Sequence, residues 1–220
     1  MNYNSKHLID EFNNLFDYAQ DYYDNISKLL RIKPSVTIFG SAKATEDDKY
    51  YQLTYDIAEE LVKNNFGIIT GGGPGLMEAA NKAAFDNLGS STGIDVVNDF
   101  PTPKFVDREK NIRFKYFVYR KICMLKISLG FVVMPGGIGT IDELFETLSF
   151  IQIYNTKKVP IVLVGTEFWS GLIEWMKNVK NNYGYITKDE LTTYIQADNP
   201  KEIAAIFTSY YRDKLPSLNF

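Results

Sequence analysis

The 220-residue chain is expected to fold as an α/β protein, a doubly wound, mostly parallel Rossmann-like sheet flanked by helices, with one extra helix at its N-terminus. Three observations predict this. Short apolar runs alternate with longer stretches at helical spacing, the pattern of strands buried on both faces by helices. Two of those runs pass directly into glycine-rich turns followed by helix. Finally, 45% hydrophobic and 23% charged residues is the balance of an ordinary globular chain with a sizeable core.

The elements follow in order. Leu8, Phe12, Leu15, Phe16, Ala19, Tyr23, Ile26 and Leu30 recur at steps of three and four, so an amphipathic helix opens the chain. Buried strands are expected at Val36–Phe39, Gly67–Thr70, Phe131–Met134 and Pro160–Val164. Helical spacing covers Asp47–Asn64, Leu76–Asn87, Phe114–Leu129, Ile138–Tyr154 and Phe168–Lys180, and Pro200–Asp213 closes the chain after a candidate strand at Thr192–Gln196. Asp99–Arg113, with Pro101, Pro103 and mixed charge, reads as a loop of a length that often covers a ligand. There is no internal repeat and no Gly-, Pro- or Ser-rich linker. The chain therefore divides into a helical extension, 1–33, and a single Rossmann-like domain, 34–220.

Charge and composition exclude several classes. Twenty-four Lys and Arg against 27 Asp and Glu leave a net charge of −3, without the basic excess needed to neutralise a run of phosphates, so nucleic acid is not the expected partner. One cysteine, Cys123, and one histidine, His7, exclude an intramolecular disulfide and a Cys/His zinc site. No apolar run approaches the length that spans a bilayer, and a cytoplasmic protein is expected. Asn25-Ile26-Ser27 fits a glycosylation acceptor and Lys188–Leu191 spells an ER-retention signal, and both are read as chance.

The first glycine turn is Thr70-Gly71-Gly72-Gly73-Pro74-Gly75-Leu76-Met77-Glu78. Glycine allows close backbone approach, and the N–H groups opening the next helix would receive an anion. Neither the dinucleotide fingerprint nor the P-loop pattern fits it, so it could also be only a tight strand-to-helix connection. The second turn is Met134-Pro135-Gly136-Gly137-Ile138-Gly139-Thr140-Ile141-Asp142-Glu143. Two such turns facing one crevice at a switch in strand order would hold a phosphorylated ligand.

Two readings of Glu143 stay open. Thr140-x-x-Glu143 is a capping box, in which the carboxylate satisfies a backbone N–H. Against this, the core stripe Ile141, Leu144, Phe145, Leu148 and Ile151 puts Glu143 and Glu146 on the other side of the helix, where a charged carboxylate beside a phosphate turn has an electrostatic use. Arg113 and Arg120, seven apart, are expected to share a helix face, and an arginine can hold a carboxylate or phosphate bidentately. Cys123 reads as a buried small hydrophobe and His7 as a solvated residue.

Gly71-Gly72-Gly73-Pro74-Gly75-Leu76-Met77-Glu78, Arg120-Lys121-x-x-Met124 and Pro135-Gly136-Gly137-x-Gly139-Thr140-x-x-Glu143 together resemble the LOG (LONELY GUY) family, often labelled lysine decarboxylase-like. The resemblance runs from Val36 to about Asn199. It implies a nucleotide-binding domain with phosphoribohydrolase activity, cutting the N-glycosidic bond of adenosine-type 5′-monophosphates, with N6-modified, cytokinin-type nucleotides among the candidates. It further implies catalytic roles for Arg120 and Glu143 and substrate contacts from Gly40, Ser41, Gly72, Gly73, Met124, Gly136, Gly137, Gly139 and Thr140, with no metal and no cofactor. A decarboxylase would need a Schiff-base lysine, and no lysine stands out. The stretch Gly93–Phe100 departs from the pattern of many bacterial relatives, which leaves base recognition open. The competing reading is a non-catalytic nucleotide or molybdenum-cofactor carrier on the same fold. A homodimer or higher oligomer is expected as well. Phe114, Tyr116, Phe117, Val118, Tyr119, Ile122, Met124, Leu125 and Ile127 surround one helix, and Phe150, Ile153 and Tyr154 add a second apolar face to another.

Overall fold

The computed structural model describes residues 5–97, 103–107, 109, 111–153 and 158–212, with side chains from residue 16 onward. The order is α1 (Ser5–Leu29), β1 (Ser35–Phe39), α2 (Lys49–Lys63), β2 (Gly67–Thr70), α3 (Leu76–Asp86), β3 (Ser91–Val96), β4 (Ile112–Phe114) and α4 (Phe117–Ile127). It continues with β5 (Phe131–Val133), α5 (Ile138–Ile153), β6 (Ile161–Leu163), α6 (Thr166–Tyr183), α7 (Lys188–Leu191), β7 (Ile195–Gln196) and α8 (Pro200–Tyr210). All strand pairs are parallel, in the order β4-β3-β2-β1-β5-β6-β7. The winding direction reverses at β1, so the carboxyl ends of β2, β1 and β5 open onto the switch point, where ligands of such sheets sit.

Alternation along the strands sends apolar side chains to both faces. Val36, Ile38, Ile68, Val132 and Val162 join Ile57, Leu61, Ala80, Ile203 and Phe207 from α2, α3 and α8. Phe39, Ile69, Phe131, Val133 and Ile161 join Ile127, Leu144 and Trp169 from α4, α5 and α6. Local chemistry sets the helix ends. Asp48 accepts from the Tyr50 N–H ahead of α2, Asn199 caps α8 with Pro200 in its first turn, and Gly184 ends α6 in the left-handed conformation.

Several sequence expectations need correcting. Ile112 and Arg113, read as the end of a loop, belong to β4, which pairs with β3 in the register Ile94↔Ile112. Consequently α4 begins at Phe117 rather than Phe114, and Arg113 shares no helix face with Arg120. Strand β3 went unread because Ser91, Thr92, Gly93 and Asp95 interrupt its apolar pattern; Asp95 is fully buried and held by a bidentate Arg113. The strand expected at Thr192–Gln196 shrinks to Ile195–Gln196. Lys188–Leu191 is α7, a one-turn helix with its own capping box, and the Asn25 amide is buried, donating to the Asp21 and Arg113 carbonyls. Asp99–Thr102, Tyr154, Asp213 and the His7 side chain lie outside the described residues. Among the described residues, no helix is long and apolar enough to cross a membrane.

Candidate active site

Gly40 and Ser41 follow β1 at the centre of the sheet and join the two glycine turns. The Ser41 N–H donates to the Pro135 carbonyl of the second turn (3.1 Å), and the Ser41 carbonyl accepts from the Leu76 N–H at the end of the first (3.0 Å). Gly40 is closely packed: a Cβ there would lie 3.0 Å from the Leu76 and Met134 side chains, which would have to give way.

At Gly71, Gly72 and Gly75 the first turn is packed by the protein itself. Gly72 has φ +71° and Gly75 φ +70°, conformations that favour glycine, and a Cβ on Gly75 would strike the Ser41 carbonyl oxygen. The Gly72 N–H donates to the Thr70 hydroxyl (3.0 Å), which in turn donates to the buried Asn81. At Gly71 the missing side chain makes room for a cation, since a Cβ there would land on Nη2 of Arg120. Beyond Gly72 and Gly73 lies a cavity of about 190 Å³, bounded by Pro74, Glu78, Asn81, Pro103, Lys104 and Phe105.

The second turn is different. Gly136 sits against the Thr140 hydroxyl, but nothing lies within 4 Å of a Cβ built on Gly137 or Gly139, and Ile138 between them is 83% exposed. Helix α5 starts here, with the Ile141 N–H donating to the Gly137 carbonyl (3.0 Å). Thr140 is therefore inside the helix and not its cap, which removes the capping-box reading of Glu143.

Between the turns α4 and α5 meet. Arg120 is 3% exposed, and its Nη2 lies 3.7 Å from Oε1 of Glu143, whose side chain is 13% exposed. At that distance the two form an ion pair rather than a hydrogen bond. Burial pushes the Glu143 carboxyl up to about 7; Arg120 and Lys121 oppose the rise, while Asp142 and Glu146 add to it. A carboxyl that changes charge near neutrality can take up and return a proton. Glu143 lies off the core stripe, as expected, but it faces α4 rather than solvent.

Of the remaining expected residues, Gly72 and Gly73 line the cavity beside the first turn, and Thr140 is buried behind Gly136. Met124 lies one helical turn on from Arg120 and is closed off from solvent. Cys123 is buried too, which pushes its thiol up to about 12 and leaves it no nucleophile. Two contributions went unread in the sequence: Gly71 as the seat of the Arg120 guanidinium, and Lys121, which bridges Asp142 and Glu146 at 2.9 Å each. Both depend on contacts between elements far apart in sequence, which no local spacing reveals.

The family model described as possible lysine decarboxylase matches residues 77–207. The chain is 26% identical over 158 residues to a cytokinin riboside 5′-monophosphate phosphoribohydrolase of Rhodococcoides fascians, covering 70% of this chain and 78% of that protein. It is also 26% identical over 180 residues to the Arabidopsis thaliana cytokinin riboside 5′-monophosphate phosphoribohydrolase LOG1, covering 80% and 83%. Among solved structures, a molybdenum cofactor binding protein from Rippkaea orientalis superposes with a TM-score of 0.59 at 18% identity, over 82% of this chain and 98% of that one, a likeness of fold.

Proposed function

The chain belongs to the lysine-decarboxylase-like LOG family, and from that premise we propose that it is a phosphoribohydrolase cleaving the N-glycosidic bond of an adenosine-type nucleoside 5′-monophosphate, AMP or an N6-modified relative, to the free base and ribose 5-phosphate. The observation that carries this reading is the buried Arg120–Glu143 pair set between two glycine turns. The N–H groups at the positive end of α5, beside the exposed Gly137 and Gly139, receive the 5′-phosphate. Cleavage passes through an oxocarbenium-like sugar, which the ionised Glu143 stabilises while it draws a proton from the attacking water. The proton gained can then be passed to the departing base. Arg120, wedged against Gly71, fixes the carboxylate and favours its charged form.

A decarboxylase reading fits the residues poorly. Lys121, the lysine beside the pair, has its ammonium held above the usual range: burial works against this, but hydrogen bonds to Glu146 and Asp142 outweigh it. An amine kept protonated in this way does not form a Schiff base.

The proposed working form is a cytoplasmic homodimer. Phe117 and Val118 on α4 and Ile153 on α5 stay exposed in the single chain, apolar side chains that a second copy would cover. Light scattering at micromolar concentration should show at least a dimer, and a monomer would refute this. Incubation with AMP, following adenine and ribose 5-phosphate, tests the reaction. Bound but uncleaved nucleotide would favour a carrier instead.

A further inference from the structure

On α5 the three acidic residues Asp142, Glu143 and Glu146 lie within about one helical turn, and like charges at such spacing repel. Glu143 turns inward to Arg120, whereas Asp142 and Glu146 flank it toward the surface. Lys121, the residue after Arg120 on α4, places its ammonium 2.9 Å from an oxygen of each flanking carboxylate. Its side chain is only 14% exposed, and the Phe117 ring lies beside both cations, 5.5 Å from the Lys121 ammonium and 5.2 Å from the Arg120 guanidinium. Two consecutive residues of α4 thus grip one turn of α5 at three carboxylates.

We infer that Lys121 is a positioning residue of this site: its double bridge locks the start of α5 against α4 and neutralises the two carboxylates beside Glu143, so that Glu143 meets Arg120 and not a field of like charge. This rests on the reading of Glu143 as the acid–base group. Among the described residues, the charged groups acting on Glu143 are Arg120 and Lys121 from α4 and Asp142 and Glu146 from α5. The two cations favour its ionised form and the two carboxylates oppose it. Arginine at position 121 could keep the bridge, whereas methionine, of similar length and without charge, would leave both carboxylates uncompensated.

The test is a carboxyl NMR titration of protein labelled with ¹³C-glutamate, the Glu143 resonance being assigned by its disappearance in Glu143→Gln. In Lys121→Met its midpoint should rise by about one pH unit, and Lys121→Arg should return it most of the way. Asp142→Asn, at a half-exposed position that does not threaten the fold, should lower it. The acid limb of kcat/KM for AMP should move with the midpoint in each variant. An unmoved midpoint in Lys121→Met and Asp142→Asn, or activity lost equally at every pH without rescue by arginine, would overturn the inference. Because the titration needs no turnover, a chain that failed to hydrolyse AMP would refute the proposed reaction while leaving the clamp separately measurable.

Discussion

The two glycine turns look alike in sequence and differ in what occupies them. The first is packed by the protein's own atoms: the Arg120 guanidinium against Gly71, Asp95 and Pro103 against Gly72, and the Ser41 carbonyl against Gly75. The second leaves Gly137 and Gly139 uncovered. A missing side chain can make room for the chain itself or for a ligand, and only the surroundings of each Cβ position tell these uses apart. Mutations at Gly71 and Gly75 should therefore act through Arg120 or through stability, and those at Gly137 and Gly139 through ligand affinity.

The largest effect is expected between the turns. Glu143→Gln should lower AMP hydrolysis about a hundredfold or more, the loss that follows removal of a positioned acid–base or charge-stabilising group. Near-normal turnover in this variant would remove Glu143 from the chemistry. Next comes Gly71→Ala. Its methyl group displaces the end of a flexible side chain, so the fold should hold while turnover falls by roughly ten- to a hundredfold, and Arg120→Lys should lose activity to a similar degree. If Gly71→Ala instead unfolded the protein at unchanged specific activity, the distinction between the turns would fail.

Gly137→Val should weaken AMP binding about tenfold or more by calorimetry with little change in melting temperature, since a Cβ added there has no protein atom within 4 Å. Unchanged affinity would place the phosphate elsewhere. A separate effect concerns stability. Folded Glu143 keeps its proton up to about pH 7, whereas an unperturbed glutamate releases it near 4.5. The stability this group contributes is present below pH 4.5 and is lost as pH rises through 7. Glutamine carries no such dependence, so Glu143→Gln should melt near the wild-type temperature at pH 4.5 and several degrees higher at pH 8, a gain on the order of 3 kcal/mol. Identical melting curves at pH 8 would mean that Glu143 is not held in a desolvated place.

The parallel core was legible because strands such as Gly67–Thr70 and Pro160–Val164 are buried on both faces and read as unbroken apolar runs. Strand β3 was not legible, since Asp95 and Ser91 are buried by means of partners distant in sequence, Arg113 and Asn81. Glu143 illustrates the limit at the site. Spacing alone left capping and catalysis equally open, and what separates them is that α5 begins two residues before Thr140. Arg120 could be named from its motif, but its seat against Gly71 depends on two helix–strand units meeting across the sheet.

Ser41 binds both turns by its own peptide groups, one bond to Pro135 and one to Leu76. The gap between the turns is thereby a fixed gauge, set by the breadth of one residue at the middle strand and not adjusted by side-chain rotation. Any ligand entering this crevice would meet walls whose spacing was decided when the sheet formed. Selection among ligands then falls on length and shape, and accommodation to an oversized ligand has to come from the segments beyond the turns.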